Sequence, residues 1–382
     1  MKIACISASR IPSTTANSMQ VMKACQALCQ LGHEVHLFVP QHQEQQKITD
    51  LPGFYGLNTI FPITWLPSRA GFHHYDLALQ ASRKAKEMNA RLAYVWFYQA
   101  GVFSLLARIP VILELHGPPE GKLGPLMFRL FQKLPGPRRL LPITMALARQ
   151  YHDQYHVRLD DSRMILITPN GVDLERYTDL PDPASARQSL GLPQTFTAGY
   201  SGHLYPGRGM DLLEKLAGRF TNVSFLWVGG RQPDINRWQQ RLAGKKITNI
   251  ILTGFVENNR LPLYQAAADI LLMPYERVIT GSSGGNSAAY ASPMKMFEYM
   301  ACQRAIISSD LPVIREVLNT SNAVLCPPDD IDAWSQALEQ LVENDNRRQA
   351  LARQARQDVQ QYTWLERARK AVEDFLPVNL TD

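Results

Sequence analysis

The chain has 382 residues, enough for two domains each with its own core, and 45% hydrophobic against 19% charged residues is the balance of an ordered globular protein. Its formal net charge of +6 lies wholly within residues 1–180, where 19 Lys and Arg stand against 13 Asp and Glu, with 21 of each beyond. So small an excess, with no interleaved basic and aromatic platform, excludes a nucleic-acid partner, and five scattered cysteines without metal-ligand spacing predict buried thiols in a reducing compartment and no metal site.

Lys2–Ser7 reads as a buried strand, Met19–Leu31 as a helix closed by Gly32, and Val35–Val39 as a second strand. The opening run predicts neither a signal peptide nor a membrane span, hence a cytoplasmic protein. In such a βαβ unit the loop Ala8–Ser18, with Arg10, Asn17 and Ser18, falls beyond the carboxyl end of the first strand, where parallel sheets bind ligands. Residues 41–74 show no clear period; their Trp65, Arg69, His73 and His74 fit an acceptor site or plain surface cover. Tyr75–Met88 follows as a helix, then Leu92–Phe97 and Val111–Leu115 as strands. His116 stands before Gly117-Pro118 at the end of the second of these, its ring placed to enter a cleft, while Glu114 is expected to point the other way.

Lys122–Gln150 mixes Leu126, Met127, Phe128, Leu130 and Phe131 with Lys122, Arg129 and Lys133. Such a segment fits an anionic membrane surface, and an amphipathic helix against its own core produces the same pattern. Ile165–Thr168 is the expected last strand of this half. Pro-rich Asp179–Leu192 is the predicted hinge.

In the second half Phe196–Tyr200 reads as a strand feeding the turn Ser201–Gly209, whose glycines permit close backbone approach to a ligand and whose Arg208 offers a forked donor to phosphate. Val223–Gly229, Ile250–Thr253, Asp269–Met273, Ala305–Ser308 and Ala323–Cys326 are further strands, and Asp332–Glu343 and Asn346–Gln361 helices. Gly281–Asn286 forms a loose polar loop before Ser292-Pro293, where an N-cap and an N1 proline start a helix running to about Cys302. Its free N–H groups suit a diphosphate, and Glu298, one turn in, suits the two hydroxyls of a ribose.

Pro169–Asp173, Tyr200–Gly209 and Ser292–Ser309 together resemble the retaining glycosyltransferases of family 4. In that family two glutamates separated by seven residues overlap the helix start. Here Glu298 matches the second and Tyr290 stands at the first, and the Ser-Pro-x-Lys-x-x-Glu-Tyr form resembles a subgroup without that first glutamate. The resemblance implies an α/β GT-B fold: two facing Rossmann-like, doubly wound parallel sheets with an interdomain cleft. The domains would span 1–180, completed by a C-terminal helix at about 362–378, and 190–361.

It implies transfer of a hexose-like sugar from a UDP or GDP sugar to a hydroxyl acceptor, without a cofactor or metal. Catalytic roles fall to His116, Arg208 and Lys295. Donor contacts fall to Gly202, His203, Arg208, Phe255, Val256, Tyr290, Pro293, Met294, Lys295 and Glu298, and acceptor contacts to Arg10, Asn17, Ser18, Trp65 and His73. A cytoplasmic enzyme peripheral to the inner membrane face is the setting this suggests. A nucleotide-sugar epimerase of the same fold, or a binding protein that has lost catalysis, is the competing reading.

Overall fold

A computed structural model describes residues 1–42, 48, 50–279 and 286–375. The chain divides into two compact units, Met1–Asn170 with Trp364–Asp382, and Gly171–Thr363.

Six strands form the first sheet: β1 Lys2–Ile6, β2 Glu34–Pro40, β3 Ile63–Leu66, β4 Leu92–Val95, β5 Val111–Leu115 and β6 Arg138–Pro142. Their order is β3-β2-β1-β4-β5-β6. All pairs are parallel, for example Ile3 against Val35 and Leu92, so each strand is reached through a crossover. β1, β4 and β5 are short apolar runs covered on both faces, as parallel strands must be. The last helix, Trp364–Val372, packs on helix Ala16–Gln30 of this unit.

Several expectations shift here. The 41–74 stretch holds a real strand, β3, whose Trp65 indole donates to the Ile11 carbonyl at 2.9 Å. Ile165–Thr168, the expected last strand, is bridged to Leu140 at Ile165 and lays the Leu166 and Thr168 N–H groups on the Leu140 and Pro142 carbonyls at 3.0 and 2.9 Å, but the sixth strand proper is the neighbour it lies against, β6. Two arginines hide this strand in the sequence. The buried Arg139 guanidinium donates to the carbonyls of Ala371 (2.9 Å) and Glu373 (2.8 Å) at the end of the last helix, and this satisfies its charge.

The second sheet comprises β7 Thr197–Ser201, β8 Ser224–Val228, β9 Ile250–Gly254, β10 Ile270–Met273, β11 Ala305–Ser309 and β12 Val324–Cys326, in the order β12-β11-β10-β7-β8-β9. Read from β9, it is the same winding as the first sheet. Trp227, Trp334, Phe225, Leu213 and Leu338 anchor one face of its core.

The hinge expected at Asp179–Leu192 is instead part of this unit. Tyr177 is buried and donates to Gln265 at 2.9 Å, helix Pro183–Leu190 is capped by Asp182, and Arg187 pairs with Asp269 at 2.8 Å. Proline and polar residues suggested a linker, but these contacts fasten it, and the unit boundary moves to Asn170/Gly171.

Candidate active site

In the second unit the sheet winds outward in both directions from β7 and β10, and the loops after these two strands meet at the switch point of the strand order. The loop after β7 is shaped by glycine. Gly202 has φ +138°, and Gly209 has φ +70° with so little room that a Cβ there would sit 1.8 Å from the Pro274 carbonyl oxygen. Glu276, just beyond β10, ties the two loops by accepting from the Gly209 N–H at 3.1 Å.

Arg208 emerges from this loop and Lys295 from the first turn of helix Met294–Ala301. Both lie over the Tyr275 ring, Arg208 at 5.1 Å and Lys295 at 5.5 Å. Arg208 also covers Tyr205 at 5.0 Å and accepts its orientation from a 3.0 Å hydrogen bond to that phenol, while Lys295 lies 3.8 Å from the centre of Tyr200. Burial pushes the Tyr200 and Tyr275 phenols up, so they stay neutral and offer ring faces rather than countercharge. Burial and then repulsion by Arg208 hold the Lys295 ammonium well below the ordinary lysine range, with the Glu298 carboxylate pulling partly the other way.

His203 stacks on Tyr205 at 5.0 Å, and burial followed by the positive charges of Arg208 and Lys295 lowers its imidazole to about 4. At neutral pH it is therefore uncharged.

Helix Met294–Ala301 begins one residue later than expected. Pro293 itself occupies the cap position with extended backbone, so Ser292 does not cap it and the first N–H groups receive no side-chain acceptor from the cap. Glu298 accepts from Gln265 Nε2 at 3.1 Å, and the same Gln265 amide donates to Ser201 at 3.1 Å. At the end of β9, Gly254 has φ +71°, Phe255 is 53% exposed and Val256 is half-buried. Tyr290 lies in a turn with its N–H on the Ser287 carbonyl at 3.1 Å. Gly281–Gly285 of the glycine loop lies outside the described residues, and Asn286 holds the Ile279 and Ala288 N–H groups through its side-chain oxygen at 2.9 and 3.0 Å. Arg208, Lys295, His203 and Gly202 are thus brought together, with the unforeseen Tyr200, Tyr205 and Tyr275 between them.

The first unit holds a different centre. His116 follows β5, and its Nε2 lies 2.8 Å from Glu114 Oε2. The expectation that Glu114 points away was mistaken: residues two apart on a strand share a face. Glu114 is fully buried. It also accepts from Gln20 Nε2 at 2.6 Å, Arg367 Nη1 at 2.6 Å and the Tyr94 phenol. Burial alone would raise its carboxyl, but the Arg367 charge and the hydrogen bonds from His116 and Arg367 outweigh it and hold the group well below the usual carboxylate range.

Of the other acceptor-side residues, Arg10, Asn17 and His73 are exposed. Trp65 is half-buried with its N–H committed to Ile11. Ser18 is interior, its hydroxyl shared between Tyr55 and the Ser13 carbonyl, which leaves it a structural role. Among the described residues no group of three or more His, Cys, Asp or Glu is arranged to hold a metal ion, and no helix is long and apolar enough to cross a membrane.

Residues 18–176 match the model described as Glycosyltransferase Family 4, and residues 195–344 the model described as Glycosyl transferases group 1. The phosphatidyl-myo-inositol mannosyltransferase of Mycolicibacterium smegmatis is 30% identical over 205 residues, 51% of this chain, and the match spans only 47% of that protein. A GDP-mannose-dependent monoacylated alpha-(1-6)-phosphatidylinositol monomannoside mannosyltransferase of Corynebacterium glutamicum is 26% identical over 71% of this chain and 72% of its own. Among solved structures, HepE of Anabaena in complex with UDP-glucose superposes with a TM-score of 0.73 over 98% of both chains at 16% identity, a likeness of fold. The chain is homologous to the glycosyltransferases of family 4 and has the two-domain GT-B fold of Rossmann-like parallel sheets.

Proposed function

We propose that the protein is a retaining glycosyltransferase that moves a hexose-like sugar from a UDP or GDP sugar to a hydroxyl acceptor in polysaccharide, glycolipid or small glycoside biosynthesis. The observation that carries this reading is the gathering of Arg208 and Lys295 on one tyrosine ring. Burial and Arg208 disfavour the Lys295 ammonium and Glu298 offsets this only in part, so a dianion seated between the two cationic groups removes that cost.

A donor diphosphate supplies such an anion. As the sugar departs, negative charge grows on the leaving phosphate, and a fixed guanidinium and ammonium stabilise it without reorganisation. The leaving phosphate oxygen takes the proton of the attacking hydroxyl on the same face of the sugar, so the new bond forms where the old one breaks and the configuration is retained. Met294 and Lys295 present main-chain N–H groups to the diphosphate behind the cap residue Pro293, which has none to offer, Glu298 takes ribose hydroxyls, Phe255 and Val256 border the base, and Gly202, His203 and Tyr290 line the sugar side. His116 touches the sugar, and Arg10, Asn17, Trp65 and His73 serve the acceptor. A GDP-mannose-dependent relative and a fold relative crystallised with UDP-glucose support the two donor classes.

Leu123, Leu126 and Leu130 are exposed beside the exposed Lys122 and Arg129, which favours peripheral contact with an anionic membrane at the cytoplasmic face. Sedimentation with anionic vesicles at low and high salt tests this; no binding at low salt removes it.

A thermal-shift screen of nucleoside diphosphate sugars tests the donor assignment. A ligand at a hundredfold its Kd adds about 2.7 kcal/mol of stability. No shift with any UDP or GDP sugar would overturn the reading, and release of free nucleotide without acceptor would turn it towards an epimerase.

A further inference from the structure

Glu114 of the first unit is the hub of a buried network in which every donor is identified. The indole N–H of Trp96 can only donate, and it lies 2.7 Å from Gln20 Oε1. This fixes which end of the Gln20 amide is oxygen, and turns its NH₂ towards Glu114 Oε2 at 2.6 Å. On the other carboxylate oxygen, Arg367 Nη1 donates at 2.6 Å, and its Nε is anchored on the Pro169 carbonyl at 3.0 Å. The carboxylate is therefore ionised and can only accept. The imidazole of His116, 2.8 Å from Oε2, must present an N–H there.

We propose that Glu114, held by Gln20 and Arg367, is the positioning residue for His116: it keeps the proton of the neutral ring on Nε2 and thereby presents Nδ1 as a hydrogen-bond acceptor to a substrate hydroxyl. The His116 side chain is 30% exposed, and among the described residues Nδ1 has no hydrogen-bond partner, so a ligand can reach it. The ring then selects a hydroxyl-bearing group, such as a sugar, and the neutral form cannot donate from Nδ1 to a phosphate oxygen or carboxylate. The substrate contact rests on the transferase reading above; the tautomer does not.

Gln at position 114 reverses the pattern in a defined way. Arg367 and the Tyr94 phenol retain the amide oxygen, so the amide nitrogen faces His116, and the Gln20 NH₂, a donor on the same side, has to turn away. His116 can meet an N–H only with a bare Nε2, which moves its proton to Nδ1.

The experiment is long-range proton–nitrogen correlation NMR on the full chain labelled in histidine, with His116→Gln assigning the signal. The expected result is a protonated Nε2 and an unprotonated Nδ1 in the wild type, and the reverse or a mixture in Glu114→Gln. A protonated Nδ1 in the wild type overturns the proposal, and that measurement needs no variant to fold beyond the one used for assignment. Unchanged tautomer in a folded Glu114→Gln also overturns it. If that variant does not fold, the wild-type spectrum alone decides the proposal.

In transfer assays Glu114→Gln is expected to lower kcat at least tenfold with the donor KM within about threefold. If His116→Gln transfers at the wild-type rate while the wild-type ring carries its proton on Nε2, the positioning stands and the assignment of His116 to the substrate falls.

Discussion

The loops that follow β1 and β7 occupy the same place in two sheets of identical winding, yet the sequence fills their neighbourhoods with opposite electrostatics. Near the β1 end the buried carboxylate of Glu114 is matched by Arg367 and wrapped by neutral donors. Beside β7, Arg208 and Lys295 share a neutral ring and repel each other. The first arrangement is closed and orients a histidine; the second is unfinished and calls for an anion. Topology alone therefore marks where a ligand can bind, and the balance of charge at that place decides which ligand it is.

The largest expected effect comes from opening the closed arrangement. Arg367→Met leaves Glu114 buried without its guanidinium and is expected to cost about 3–5 kcal/mol in denaturant unfolding. A loss below about 1 kcal/mol would mean that the neutral donors suffice on their own. The pH dependence has a fixed sign. Because the folded state holds the Glu114 carboxyl low, its contribution is present above the ordinary carboxylate range and is lost as pH falls through the depressed folded value.

Arg208→Ala attacks the unfinished arrangement. It is expected to lower kcat/KM for transfer roughly a hundred- to a thousandfold, while unfolding changes by no more than about 1 kcal/mol. If the variant loses stability instead of turnover, Arg208 is a brace for the tyrosines and the contrast between the two loops disappears.

Gly209→Ala tests the loop rather than the charge. With φ +70° and the Pro274 carbonyl in the path of a Cβ, it is expected to destabilise the protein by about 1–3 kcal/mol in thermal unfolding. A neutral result would show that the loop can shift without loss.

The smallest effect sharpens the comparison most. Lys295 is depressed in the unliganded protein, whereas a bound diphosphate favours its charged form, so binding takes up part of a proton and affinity falls as pH rises. Calorimetry of UDP or GDP binding in buffers of differing ionisation enthalpy reads this directly. Proton release, or none, would place the diphosphate away from Lys295.

Much of this was legible in local pattern. The apolar runs of β1, β4, β10 and β11 announce buried parallel strands, and glycines beside Arg208 mark a ligand turn. β6 was hidden because Arg138 and Arg139 look like surface, although Arg139 is buried on the carbonyls of the last helix. The Glu114–Arg367 pair spans 253 positions, a separation no local pattern reports. Tyr200 and Tyr275 stand 75 positions apart at the ends of two strands, and only their convergence on two cations gives them a part in the site. Glu114 beside His116 could have been read: alternation along a strand puts positions two apart on one side.

Arg367 also bears on the order in which the chain is made. Residues up to Asn170 leave the ribosome well before the guanidinium that neutralises Glu114, which lies 253 positions further on. Gly171–Thr363 is contiguous and can complete its sheet while translation proceeds, whereas the unit begun before it is completed only after it. A nascent chain truncated before Trp364 should therefore carry a mature second unit and a first unit still open to protease.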